Sequence, residues 1–418
     1  MYFYFIVFIS STVTLEYREN SNNQVVIGCT TDSSGEVFIP KDVTEIYSSY
    51  PNYAFKNCKD SITSLKFEDN SKITSISSSS FSYTSLESAN LSECKQLTLL
   101  NSNVFSNCKY LKLVILPPNI SEIGGYCFQY TENLTLIDLP DSVVTLGSNA
   151  FQNSCLTTIN ISPDSKLKTI YYGGFSSAKL SSIFIPKSVT SISSETFDQC
   201  PLENITVDPE NTICKCDSKS FYKETDNSTL FRVCVSYSGE YIVASYVTKI
   251  NSYCFYKCVN ISSIELHEHI TSLGSKTFWY CTSLTNITFN GHVDSISSDY
   301  FSNCESLTNI LFNGNVLYIY GNAFYNFKSL TNITIKGDIN QIGNNAFQGC
   351  TSLTCVTILG KATKIGQYTF SGCSKLTNLT ISGNIFQIGV NAFQDCESLK
   401  SFIIKGSIKD IKDIIADY

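Results

Sequence analysis

The chain has 418 residues but only two arginines, Arg18 and Arg232, three histidines, one tryptophan and one methionine. Phosphate recognition favours the guanidinium fork, and the lysines form no basic cluster, so a nucleic-acid partner is not expected. Three imidazoles are a poor inventory for general acid–base catalysis, although carboxylates can serve alone. No Ser-His-Asp order, Gly-rich phosphate loop or CxxC pair occurs, and "CKC" at 214–216 has the wrong spacing. Together these shortages argue against an enzyme, and no cofactor is implied. Long apolar runs are also scarce. The run from Tyr2 to Ile9 in "MYFYFIVFIS" is too short to cross a bilayer. It reads as a short signal peptide over residues 1–14, and no later segment reaches transmembrane length.

Other residues are plentiful. Hydrophobic residues make up 43% of the chain against 16% charged, so there is ample material for a core. The net charge is −7. Ten Asn-X-Ser/Thr triplets are glycosylation candidates: Asn90, Asn119, Asn133, Asn160, Asn204, Asn227, Asn260, Asn286, Asn332 and Asn378. Eighteen cysteines suit an oxidising compartment if some of them pair. An extracellular or cell-surface location is the expectation.

The organisation is a repeat. Phenylalanines stand at 55, 81, 105, 128, 151, 175 and 197, then at 255, 278, 301, 324, 347, 370 and 393. From Phe255 onward every interval is 23 residues; before Phe197 the intervals run from 22 to 26. Leu284, Leu307, Leu330, Leu353, Leu376 and Leu399 keep the same beat. So do the columns that begin at Ile287 and at Phe289, and together they spell L-x-x-I-x-I, a short strand with inward apolar side chains. A further column from Ile250 to Ile411 marks a second inward edge. Gly274, Gly343, Gly366 and Gly389 follow it, where the chain is expected to need a conformation that glycine allows. One such coil cannot bury its apolar columns alone, so stacked coils forming continuous ladders are expected, with short strands and turns on the far side.

The segment "LTNITIKGDINQIGNNAFQGCTSL" at 330–353 resembles the BspA-type leucine-rich repeat, with its L-x-x-I-x-I, I-G and A-F-x-x-C elements. The resemblance covers roughly residues 35–408. It implies a leucine-rich-repeat solenoid, a right-handed β-rich superhelix with a parallel β-sheet on the concave face. The organisation that follows is a signal peptide (1–14), an N-terminal cap (15–34), a first repeat block (35–201), an irregular repeat with a hairpin insertion (202–254), a second block (255–408) and a C-terminal cap (409–418). In the irregular stretch, "SFYKETDNSTLFRV" reads as part of two strands around a polar turn.

Nine cysteines occupy the Phe+3 position, among them Cys258, Cys281, Cys304, Cys350, Cys373 and Cys396, and Phe327 takes that slot once. A nucleophile does not recur nine times, so these read as small buried bricks. They are expected to be mostly reduced, with pairing favoured off the ladder among Cys214, Cys216 and Cys234. Cys355 replaces an outward Asn and is expected to be exposed. The histidines offer a minor metal possibility. His269 and His292 are 23 residues apart, with His267 nearby. The bland alternative is a polar turn, and it is favoured.

What remains is surface. Asn286, Asn309, Asn332 and Asn378 form one outward column, and Thr288, Leu311, Thr334, Thr357, Thr380 and Ile403 form its neighbour. Thr and Asn suit an exposed strand without any binding role. Repeat arrays nonetheless bind partners along such faces. The family resemblance implies a non-enzymatic extracellular scaffold that binds protein, an adhesin for host matrix or cells. A structural coat component acting by self-association is the alternative.

Overall fold

Apolar residues that return on a fixed period are all buried only if each coil lies directly on the next. The computed structural model describes residues 13–20, 23–30, 35–49, 53–223 and 228–411. Residues 1–12 of the expected signal peptide, Asn227, and residues 412–418 of the expected C-terminal cap lie outside the described residues. The chain divides into two compact units, Met1–Ser218 and Lys219–Tyr418. Among the described residues every regular element is a strand except one 3₁₀ turn at Lys56–Cys58.

The first unit opens on an antiparallel pair, Leu15–Asn20 with Asn23–Cys29. The second of these strands then pairs in parallel with Val43–Ile46. Parallel strands follow at one position in each coil, Gly35–Ile39, Ile62–Phe67, Ser88–Asn90 and Leu113–Ile115. A second row is built from two-residue strands, such as Glu122–Ile123 and Thr145–Leu146. The Phe rings from Phe55 to Phe197 stack in one file, with centroids between 4.5 and 5.9 Å apart. A disulfide joins Cys29 to Cys58 across 6.2 Å of Cα separation. Thus one ladder cysteine is bridged, whereas Cys214, Cys216 and Cys234, where pairing was favoured, are thiols. The entering strand brings Cys29 alongside the first coil, a proximity that spacing does not reveal.

Where the beat breaks, buried Asn211 supplies what a regular coil would. Its Nδ2 donates to the carbonyls of Pro186 and Val189, and its Oδ1 accepts from the amides of Ile213 and Cys214. All of these backbone groups would otherwise be costly to bury.

The second unit begins with the hairpin Ser220–Lys223 and Thr229–Val233, paired antiparallel. Buried Arg232 donates from it to the carbonyls of Tyr253 and Tyr256. Eight strands then form one sheet, from Gly239–Ile242 to Ser401–Ile404, and all pair in parallel, with equivalent repeat positions opposite one another from Asn286–Phe289 onward. Six four-residue strands, from Val293–Ile296 to Ile408–Ile411, make a second sheet. Phe278, Phe301, Phe324, Phe347, Phe370 and Phe393 stack in file, with centroids 5.0 to 5.6 Å apart. Each unit is thus a leucine-rich-repeat β-solenoid with coils of about 23 residues.

Most of these Phe residues sit on a corner between two residues of left-handed backbone, such as Asn103 and Asn107 around Phe105 or Asn322 and Asn326 around Phe324, whereas Phe197 and Phe301 have one such neighbour, Gln199 and Asn303. This bend turns every second amide along the axis. Phe324 N donates to Ala346 O at 2.8 Å and Asn326 N to Gln348 O at 2.8 Å. The corner therefore carries a hydrogen-bond ladder without being a strand, which satisfies its buried backbone. The glycines after the second inward edge answer a different need from the one expected. Gly274, Gly343, Gly366 and Gly389 are absent from the positive-φ positions. A Cβ on Gly343 would lie 2.5 Å from Gly321 N, so close backbone approach excludes any side chain there.

Candidate partner-binding face

The outward columns of the long sheet come together as the register requires. Asn286 lies opposite Asn309, Asn309 opposite Asn332, Thr334 opposite Thr357, and Thr380 opposite Ile403. Asn286, Asn332 and Asn378 are exposed, Ile403 is 46% exposed, and Thr288, Asn309, Leu311, Thr334, Thr357 and Thr380 are half-buried. Cys355, expected to be exposed, is half-buried, with its sulfur 3.6 Å from Thr357 Oγ1.

The asparagine amides are not loose. Asn309 Nδ2 donates to Asn286 Oδ1 at 2.8 Å and to Thr308 Oγ1 at 3.0 Å. Asn332 Nδ2 repeats both bonds, to Asn309 Oδ1 at 2.9 Å and Thr331 Oγ1 at 3.0 Å. The preceding threonines form a further row: Thr308, Thr331, Thr354 and Thr377 each donate to the threonine carbonyl one coil back, at 3.0 to 3.1 Å. Both amide hydrogens of Asn309 and Asn332 are thereby used. The asparagines from Asn286 to Asn332 and the row of preceding threonines are thus tied from coil to coil.

Sequence reasoning missed a second feature, in the first unit. Leu113, Ile115 and Leu136 are 52%, 40% and 44% exposed on two adjacent strands. Ser88 and Asn90 lie opposite Leu113 and Ile115. The signal was present in "LKLVIL", where apolar residues take outward positions that most coils give to Ser, Thr or Asn.

The histidines lie beside a small cavity of about 150 Å³, lined in part by His267, His292, Asp294 and Tyr300. His267 Nε2 is 2.9 Å from Ala244 O, and its Nδ1 accepts from His269 N at 3.2 Å. Both ring nitrogens are therefore engaged. His292 faces Asp294 at 3.2 Å, and His269 faces Glu268 at 3.8 Å. Among the described residues no group of three or more His, Cys, Asp or Glu is arranged to hold a metal ion.

The ladder cysteines of the second unit are thiols that do more than fill space. Cys281, Cys304, Cys350, Cys373 and Cys396 each donate to the carbonyl of the Phe one coil back, at 3.1 to 3.2 Å. Burial pushes the thiols of Cys258 and Cys350 up to about 12, far from a reactive thiolate. Among the described residues no helix is long and apolar enough to cross a membrane.

Comparison with known proteins gives a consistent family. The profile of the BspA type leucine rich repeat region matches residues 30–155, 98–228, 227–327 and 294–415. A leucine rich cell surface protein from Faecalibacterium prausnitzii superposes with a TM-score of 0.69 at 22% identity, covering 84% of this chain and 94% of that one. A leucine-rich repeat protein from Bacteroides ovatus gives 0.61 at 22% identity, covering 90% and 94%. The pneumococcal vaccine antigen PcpA gives 0.55 at 18% identity, covering 96% and 87%. At these identities the structures share the fold. Curated proteins gave no significant match.

Proposed function

We propose that this chain, which belongs to the BspA-type leucine-rich-repeat family, is a non-enzymatic scaffold that binds a protein partner on the exposed face of its long sheet. Leucine-rich-repeat folds often mediate protein–protein contact, and extended faces of stacked strands are their usual means. The observation that carries the reading is the Asn286–Asn309–Asn332 ladder. Side chains already fixed by mutual hydrogen bonds lose little freedom on binding, so more of the contact energy appears as affinity. Leu311 and Ile403 add apolar area to that face, and in the first unit Leu113, Ile115 and Leu136 offer the kind of apolar anchor around which interfaces concentrate their energy.

The finer reading is an extracellular adhesin acting on host matrix or cell surfaces. The likeness in fold to a cell surface protein supports it, as do the abundant Asn-X-Ser/Thr triplets. The sequons at Asn286, Asn332 and Asn378 fall on the binding face itself, so the partner would have to approach between any glycans there.

The test is adhesion of the purified chain to a basement-membrane extract and to cultured cells, with its mass measured by light scattering. A monomer that binds saturably, and loses binding when Thr334 and Thr357 are both replaced by Arg, meets the proposal. Concentration-dependent self-association with no saturable adhesion would favour a coat component instead.

A further inference from the structure

Phe327 stands in the slot that the neighbouring coils give to Cys304 and Cys350. At this one step of the second unit the corner ladder opens. On either side the Phe amide still donates across, with Phe278 N to Tyr300 O at 3.2 Å and Phe324 N to Ala346 O at 2.8 Å, and Tyr280 N donates to Ser302 O at 3.0 Å. Among the described residues, Phe301 N and Asn303 N make no corresponding bond to the coil of Phe324. Loss of the thiol is not the cause. Thr131, Ser154 and Ala178 fill the same slot in the first unit, where Phe105, Phe128 and Phe151 still donate across at 2.7 to 2.9 Å. Size is the difference. The ring of Phe327 packs edge-on against Phe324, with centroids 5.8 Å apart, and stays half-buried.

The result is a cleft of about 380 Å³, within the range of roughly 300–1,000 Å³ typical of small-molecule sites. Ser302, Asn303 and Glu305 line one wall. Tyr325, Asn326, Phe327 and Lys328 line the other, and Tyr325 is 50% exposed. One acid and one base leave no net charge to select an ion. An extended peptide cannot enter between the coils, because the Phe301 and Phe324 rings below the lip remain 5.6 Å apart. Aromatic rings beside hydroxyls, side-chain amides and the unused N–H of Asn303 match a ligand with apolar C–H faces and many neutral hydroxyls.

We propose that this corner cleft binds a neutral saccharide of one or two units. Tyr325 is the stacking platform, and Asn303 and Asn326 read the hydroxyls. This site is separate from the sheet face and stands whether or not that face binds protein.

The test is saturation-transfer NMR and calorimetric titration of the full chain with glucose, galactose, mannose, N-acetylglucosamine, lactose and cellobiose. At least one is expected to saturate the wild type. Phe327→Cys restores the residue of the neighbouring coils, so it is expected to close the cleft, preserve the circular dichroism spectrum and weaken binding by more than about tenfold, while Tyr325→Ala weakens it by about tenfold. Failure of every sugar to saturate at about 50 mM, or unchanged binding by a natively folded Phe327→Cys variant, would overturn the proposal.

Discussion

The Sγ of Cys350 donates to the carbonyl oxygen of Phe324, 3.1 Å away and one coil back. That same carbonyl accepts the amide of Phe327 at 3.1 Å, so the thiol takes the second lone pair of an oxygen buried in the core. Cysteine suits this slot because it packs as a small apolar residue and still offers one weak donor.

Alkaline pH tests the burial of these thiols. Burial raises the Cys350 thiol from about 9 to about 12 in the folded chain. A group held protonated by the fold gives its full stability below the unfolded value and loses it as pH rises toward the folded one. Between pH 9 and 12 each such thiol should therefore cost about 1.4 kcal/mol of stability per pH unit. Urea denaturation across this window should show a steep decline, made shallower in Cys350→Ala. Parallel slopes for the two proteins would count against it.

Replacing Asn309 with Asp tests the amide ladder. The new carboxylate could still accept from Asn332 but would face the Asn286 oxygen as acceptor against acceptor. We expect a loss of about 1–2 kcal/mol at pH 7 in chemical denaturation, partly recovered near pH 3 when the acid is protonated. An unchanged midpoint would mean the ladder is ornamental.

The disulfide between Cys29 and Cys58 closes a span of 29 residues. In the loop-entropy account such a link contributes about 3–4 kcal/mol. The double variant Cys29→Ala, Cys58→Ala should lower the unfolding transition of the first unit and leave that of the second in place. Hydrogen exchange by mass spectrometry separates the two.

Two glycines separate close approach from backbone conformation. Gly343→Ala drives a Cβ to within 2.5 Å of a backbone nitrogen, which cannot yield as a side chain would. About 1–3 kcal/mol of destabilisation is expected, seen as a lower thermal midpoint. Gly239 has φ of +89° with nothing within 4 Å of its missing Cβ. Gly239→Ala should then cost only the strain of that conformation, about 1 kcal/mol.

The stacked Phe file, the inward strand columns and the like-on-like register were all determined by the sequence, because a fixed period leaves one way to bury every apolar residue at once. The left-handed corners were not read from it: the special backbone was expected at the glycines, whereas it falls at residues flanking the phenylalanines, such as Asn103 and Asn107 around Phe105. Tertiary structure alone decided the rest. Whether Asn309 is free to meet a partner depends on an amide that lies one coil away. The bridging of Cys58 depends on a strand that enters from outside the repeat. The cleft at Phe327 depends on how far two coils part when one slot is overfilled. Each of these is a distance between neighbours, and a period fixes which residues are neighbours but not how closely they meet.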